Sequence, residues 1–127
     1  MDTREQHDRG LALRTELFGR DAVEKRAAAF GDFGKPLQHV INAYAYGDVW
    51  QRSALPLATK SIAMVAMMAA AGHGNELRVH LKGALKNGCS MDEIQEVLLL
   101  LALYCGIPAA NEAHRVAVEV FREEKLM

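Results

Sequence analysis

The residues best placed for acid–base chemistry lie in the segment Glu76–His80. Glu76 precedes His80 by four positions, so both side chains lie on one side of a predicted helix. His80 follows Leu77 by three positions and precedes Ala84 by four, which places it along an apolar stripe. A neighbouring carboxylate fixes the tautomer of an imidazole and raises its pKa, which suits a proton donor near neutral pH. The alternative is a semi-buried histidine with a structural role.

Two basic residues and an aromatic residue could bind a substrate anion. Arg52 and Lys60 lie on either side of the proline turn 55–57, where they could hold a carboxylate, Arg52 by a two-pronged contact. Trp50 could form the wall of a pocket. The alternatives are solvated surface charge for Arg52 and Lys60, and a packing role for Trp50.

The remaining histidines and the cysteines predict no metal centre. His73 and His114 lack a partner set at metal-ligand spacing. Cys89 and Cys105, 16 positions apart, form neither a disulfide framework nor a zinc ligand set. We therefore expect no metal and a reduced cytoplasmic location.

The segments that carry these residues are predicted to be helices. No segment alternates like a strand, so the class is all-α, in one domain spanning residues 1–127. Glycines, capping residues and apolar stripes predict a first helix that ends at Gly19, a second capped by Asp21 with Glu24, and further helices over about 57–71, 75–86, 91–104 and 109–121. Ser90 and Glu93 form the capping box of the helix that begins at Met91.

Composition limits the partners. The net charge of −1 gives no case for binding nucleic acid or an anionic membrane. The polar N-terminus lacks a secretory apolar region, and the longest apolar run, 62–71, is too short to cross a bilayer. Segments 62–71 and 97–103 are apolar on nearly every face, which predicts a homo-oligomer larger than a dimer.

Several motifs in register resemble the carboxymuconolactone decarboxylase family over nearly the whole chain. They are His7–Arg14, Gly47–Arg52, Glu76–His80, Asn87-Gly88, Glu93–Leu98 and Tyr104–Asn111. The resemblance implies an alkylhydroperoxidase D-like subunit of about six to seven helices, assembled into a ring, as a homohexamer. It also implies cofactor-independent decarboxylation of 4-carboxymuconolactone in the protocatechuate branch of aromatic catabolism.

The implied reaction defines the roles of the candidate residues. The family substrate is an unsaturated lactone with a carboxylate on a ring carbon and a second one on an acetic arm. The lactone itself accepts the electrons of the departing carboxylate, so no cofactor is needed. We assign His80 as proton donor, Glu76 as the residue that orients it, and Arg52 and Lys60 as anchors of the surviving carboxylate. An apolar wall at Leu100 would favour loss of the charged carboxylate.

Three departures from the family pattern leave alternatives open. Leu100 replaces a histidine or glutamine, Lys60 an arginine and Ser53 a proline. A related lactone or β,γ-unsaturated acid is therefore an alternative substrate, and a catalytically altered or non-catalytic member of the family is an alternative function. A thiol-dependent peroxide-defence protein would carry Cys-x-x-Cys at positions that are His73 and Glu76 here, which counts against it.

Overall fold

The computed structural model describes residues 2–127, and these contain seven α-helices and no strand, which confirms the predicted all-α class. The helices are α1 (Thr3–Phe18), α2 (Arg20–Ala28), α3 (Lys35–Val40), α4 (Leu57–Ala71), α5 (Gly74–Lys86), α6 (Met91–Cys105) and α7 (Ile107–Glu123). A π-helix, Ile41–Tyr46, continues α3, and short 3₁₀-helices cover Gly31–Gly34 and Val49–Gln51. The chain divides into two compact units, one ending at Leu55 and the other spanning Pro56–Met127. A single domain stays a prediction.

In the N-terminal unit, α1 packs against the π-helix at two glycines. A Cβ atom at Gly10 would lie 1.6 Å from the carbonyl oxygen of Asn42, and one at Gly47 would lie 2.2 Å from the carbonyl oxygen of Gln6. Only glycine lets the two backbones approach so closely. The π-helix was not predicted, because the apolar spacing of residues 37–44 fits an ordinary α-helix.

A buried arginine and two stacked aromatic rings complete this unit. Arg14 donates from one guanidinium nitrogen to Oε1 of Gln38 at 2.8 Å and to Oδ1 of Asn42 at 3.1 Å. The rings of Tyr46 and Trp50 stack with centroids 5.3 Å apart. Burial raises the pKa of Tyr46 to about 12. These contacts explain how a unit of short helices holds its shape.

In the C-terminal unit, α4, α5, α6 and α7 surround one apolar core. The predicted stripe of α7 is confirmed, since Ala113, Val116, Ala117 and Val120 are all buried in that core. The ends of the helices follow local rules. Gly72 ends α4 in the left-handed conformation, and the capping box of Ser90 and Glu93 opens α6, both as predicted.

One predicted helix cap is wrong. α2 begins at Arg20, one residue before Asp21, so Asp21 and Glu24 both lie inside the helix. The residue that precedes the helix is Gly19, and no side chain caps its first turn. Glu24 instead accepts a hydrogen bond from Arg20 at 3.1 Å, which is the ordinary contact between side chains four residues apart.

Among residues 2–127, no helix has both the length and the apolar character needed to cross a bilayer.

Candidate functional site

The buried face of α5 carries His80. Leu77, Leu81 and Ala84 point into the core of the C-terminal unit, and the spacing of three and four residues turns His80 to the same side. His80 is only 6% exposed. Burial of an imidazole in a mostly apolar helix face is the arrangement that the sequence predicted, and it shields the ring from bulk water.

Glu76, the predicted partner of His80, lies at the solvent-exposed surface of the first turn of α5. The Nδ1 atom of His80 is buried and receives no hydrogen bond within residues 2–127, although His80 does interact with its surroundings. Glu76 therefore does not hold Nδ1 in this conformation. The orienting role of Glu76 stays a prediction.

Lys60 lies half-buried on α4, which packs antiparallel to α5. Asn87, at the end of α5, donates from Nδ2 to Oγ of Ser61 at 3.3 Å, which brings residues 60 and 61 level with the end of α5. His80 lies seven residues before Asn87, so its axial distance from that level is about 10 Å. A substrate held at Lys60 and reacting at His80 must bridge most of this distance, which the flexible lysine stem can shorten.

Arg52 and Trp50 belong to the N-terminal unit. Arg52 is exposed and follows the 3₁₀-helix Val49–Gln51 in an extended conformation. Trp50 is buried against Tyr46, which matches the packing role that the sequence left open. The structure thus places Lys60, Glu76, His80 and Leu100 in one compact unit and the other two candidates in the other.

Leu100 lies on an exposed apolar face of α6. The large apolar side chains of this face extend from the second half of α6 into the start of α7: Leu99, Leu100, Leu103, Tyr104 and Ile107. Leu103 and Tyr104 are 73% and 80% exposed. Exposed patches of this kind mark interaction sites. Within one chain, Leu100 therefore borders open surface rather than the core.

A charged cluster between α5 and α7 was missed from the sequence. Arg78 pairs with Glu119 and Glu123, and Lys82 pairs with Glu123 at 2.8 Å. Hydrogen bonds from Lys82 and then Arg78 lower the pKa of Glu123. This cluster lies on the outer side of α5 and so favours the rotation of α5 that buries His80. Opposite charges 41 to 45 residues apart give no local sequence signal.

The two thiols differ in environment. Cys89 is buried, and desolvation, followed by the charge of Glu93, raises the pKa of its thiol. Cys105 is exposed at the end of α6. Both are free thiols, and the raised pKa of Cys89 is the opposite of what a redox nucleophile requires.

A helical chain with a buried histidine on one helix is consistent with the resemblance, and comparison with known proteins establishes the family. The model of the carboxymuconolactone decarboxylase family matches residues 35–119, so the chain belongs to that family. It is 37% identical to 4-carboxymuconolactone decarboxylase of Acinetobacter baylyi over 123 residues, covering 97% of this chain and 92% of the relative. It is 34% identical to nitrosuccinic acid decarboxylase npaB of Metarhizium robertsii over 106 residues, covering 84% and 74%. Both relatives are named as decarboxylases.

Proposed function

We propose that this protein is a cofactor-independent decarboxylase of small dicarboxylic acids, with 4-carboxymuconolactone as the first candidate substrate. The observation that carries the proposal is the position of His80, buried on α5 inside the segment that matches the family. The similarity to a 4-carboxymuconolactone decarboxylase over nearly the whole chain supports the substrate.

The proposed reaction needs one proton donor and one anion anchor. The bond between the ring carbon and its carboxylate breaks and CO₂ leaves. The electron pair passes through the ring alkene to the lactone carbonyl oxygen. Protonated His80 then delivers its proton to the ring carbon next to that carbonyl, which restores the carbonyl and leaves the enol-lactone. Lys60 holds the acetic carboxylate throughout, and solvent returns the proton to His80.

The second relative points to a second candidate substrate. Nitrosuccinic acid is also a dicarboxylic acid with an electron acceptor, a nitro group, beside one carboxylate. Loss of CO₂ from that carbon places the electron pair on the nitro oxygens, and a proton then goes to carbon. A nitro dicarboxylate would make the same demands on His80 and Lys60, and the similarity to npaB favours testing it here.

The test replaces His80 with glutamine and follows both candidate substrates. Glutamine has similar reach but is no proton donor of comparable acidity, so turnover should fall about 10²–10⁴-fold while the melting temperature changes little. His73→Gln is the matched control, because His73 is an exposed histidine just before α5. Normal turnover of folded His80→Gln would remove His80 from the mechanism. An intact protein that converts neither substrate would favour the non-catalytic alternative.

The thiol alternative has its own test. Neither Cys89 nor Cys105 occupies a redox position near His80 in the sequence, so the double variant Cys89→Ser/Cys105→Ala should retain full turnover. Loss of activity in that variant, with helicity unchanged, would revive the thiol-dependent function.

We also propose that the chain forms a homo-oligomer larger than a dimer, with a hexameric ring as the form that the resemblance implies. The exposed apolar face of α6 supports this proposal, because so many large apolar side chains rarely face water. Light scattering should give a mass above that of a dimer, and Leu103→Glu should lower it. Gln95→Glu, which adds the same charge elsewhere on α6, is the control. A monomeric parent protein with full helicity would refute the assembly.

A further inference from the structure

The turn after α5 binds the first turns of α4 through two side chains. Asn87 donates from Nδ2 to Oγ of Ser61, and the thiol of Cys89 donates to the carbonyl oxygen of Ala58 at 3.4 Å. Ala58 and Ser61 lie on either side of Lys60 in the sequence. Ser61 is only 2% exposed, so its hydroxyl group is shielded from competing water.

The turn itself is held rigidly. The amide of Cys89 donates to the carbonyl oxygen of Ala84 at 2.9 Å, and the amide of Gly88 donates to that of Leu85 at 3.4 Å. Gly88 has a φ of +102°, which glycine adopts without strain. These are the two backbone bonds of a Schellman motif, and Cys89 and Ala84 are both buried in the apolar core. The side chains of Asn87 and Cys89 are thus presented at fixed positions.

We propose that Ser61 and Asn87 are positioning residues, which fix Lys60 on α4 at the distance from His80 that a dicarboxylate requires. The inference rests on the proposed function and extends it to residues that need not touch the substrate. The hydrophobic attraction between α4 and α5 is not directional, so it does not by itself select one pair of atoms to be in contact. A hydrogen bond between defined atoms is directional and does select one register.

The proposal predicts a specific defect for each variant. Ser61→Ala and Asn87→Ala should each raise KM for the dicarboxylate substrate about tenfold and leave kcat within about threefold, because a displaced anchor weakens the substrate and the transition state alike. The double variant should be no worse than the poorer single variant, since both remove the same bond. Thr59→Ala is the matched control, because it removes an exposed hydroxyl group beside Lys60 and should leave KM unchanged.

Binding of succinate, measured by calorimetry, separates this proposal from the proposed reaction. Ser61→Ala should weaken succinate binding about tenfold in the parent protein but not in a Lys60→Met background, where no anchor remains to be placed. If Ser61 has only a structural role, Ser61→Ala should lower the folded fraction and leave the succinate affinity of the folded protein unchanged. Equal affinity in parent and Ser61→Ala, or no succinate binding by the parent, would overturn the positioning role. Turnover of the parent protein alone decides the proposed function.

Discussion

The close approach of α1 to the π-helix allows a quantitative test by a single methyl group. A Cβ atom at Gly10 would lie 1.6 Å from the carbonyl oxygen of Asn42 and 2.6 Å from the amide nitrogen of Gly47. Both are backbone atoms, so rotation of a side chain cannot relieve the clash. We therefore expect Gly10→Ala to push α1 away from the π-helix and to destabilise the protein.

The magnitude follows from two opposing terms. Overpacking a core typically costs about 1–3 kcal/mol, and a contact this short against backbone belongs at or beyond the upper end. Alanine is a better helix former than glycine by about 1 kcal/mol, which offsets part of the cost at Gly10. The free energy of unfolding should therefore fall by at least about 2 kcal/mol, which lowers the melting temperature by roughly 6–10 °C for a chain of this length.

Guanidinium unfolding measured by two probes gives the result. Trp50 is the single tryptophan and is buried in the N-terminal unit, so its fluorescence reports on that unit, while circular dichroism reports on all helices. Gly74→Ala is the matched control, because a Cβ atom at this helical position meets nothing within 4 Å. Its stability should change by no more than about 1 kcal/mol. If Gly10→Ala unfolds within about 0.5 kcal/mol of the parent protein, the described packing of α1 on the π-helix is wrong.

Two further predictions concern pH. Because burial raises the folded-state pKa of Tyr46 to about 12, the unfolded chain releases this proton first, so stability should fall by about 3 kcal/mol as pH rises from about 10 to 12. Denaturation at several alkaline pH values checks this loss, and Tyr46→Phe should abolish it; an unchanged slope in that variant would assign the loss elsewhere. For Glu123 the dependence of stability on pH has the opposite direction. Lys82 and Arg78 lower the pKa of Glu123, so the stability that this carboxylate contributes should be lost as pH falls through that lowered pKa. Denaturation between pH 3 and 6 should show a smaller loss for Glu123→Gln, and an equal loss in both proteins would refute the coupling.

The helices were predictable where local chemistry defines their ends. Gly19, Gly72 and the capping box at Ser90 placed three boundaries correctly, because each satisfies backbone groups within a few residues. The π-helix Ile41–Tyr46 had no such signal. Its geometry depends on α1, more than 30 residues earlier in the chain, which contacts it at Gly10. Sequence periodicity reports a local preference and not a distortion imposed by a distant helix.

The candidate site was predictable only in part for the same reason. The burial of His80 followed from the apolar stripe of α5, which is local. Ser61 and Asn87 meet across 26 positions, and neither belongs to a motif that predicts the contact. Burial of a serine in an apolar helix carries no sequence signal either, since serine is usually exposed. The residues that support a site are therefore harder to find than the residues that occupy it.

The proposed decarboxylation requires only a few specific side chains. In both candidate substrates the electron acceptor belongs to the substrate, so the proposed reaction requires the protein only to hold one carboxylate, exclude water and deliver one proton. Under the proposed function, we expect a change at Lys60 or Leu100 to alter which dicarboxylate fits and not how it reacts. In that reaction the distance between anchor and proton donor matters most, because a displaced anchor weakens binding of the substrate and of the transition state alike. We expect that distance to depend on the register of α4 on α5, and the hydrogen bond from Asn87 to Ser61 joins the two helices beside Lys60.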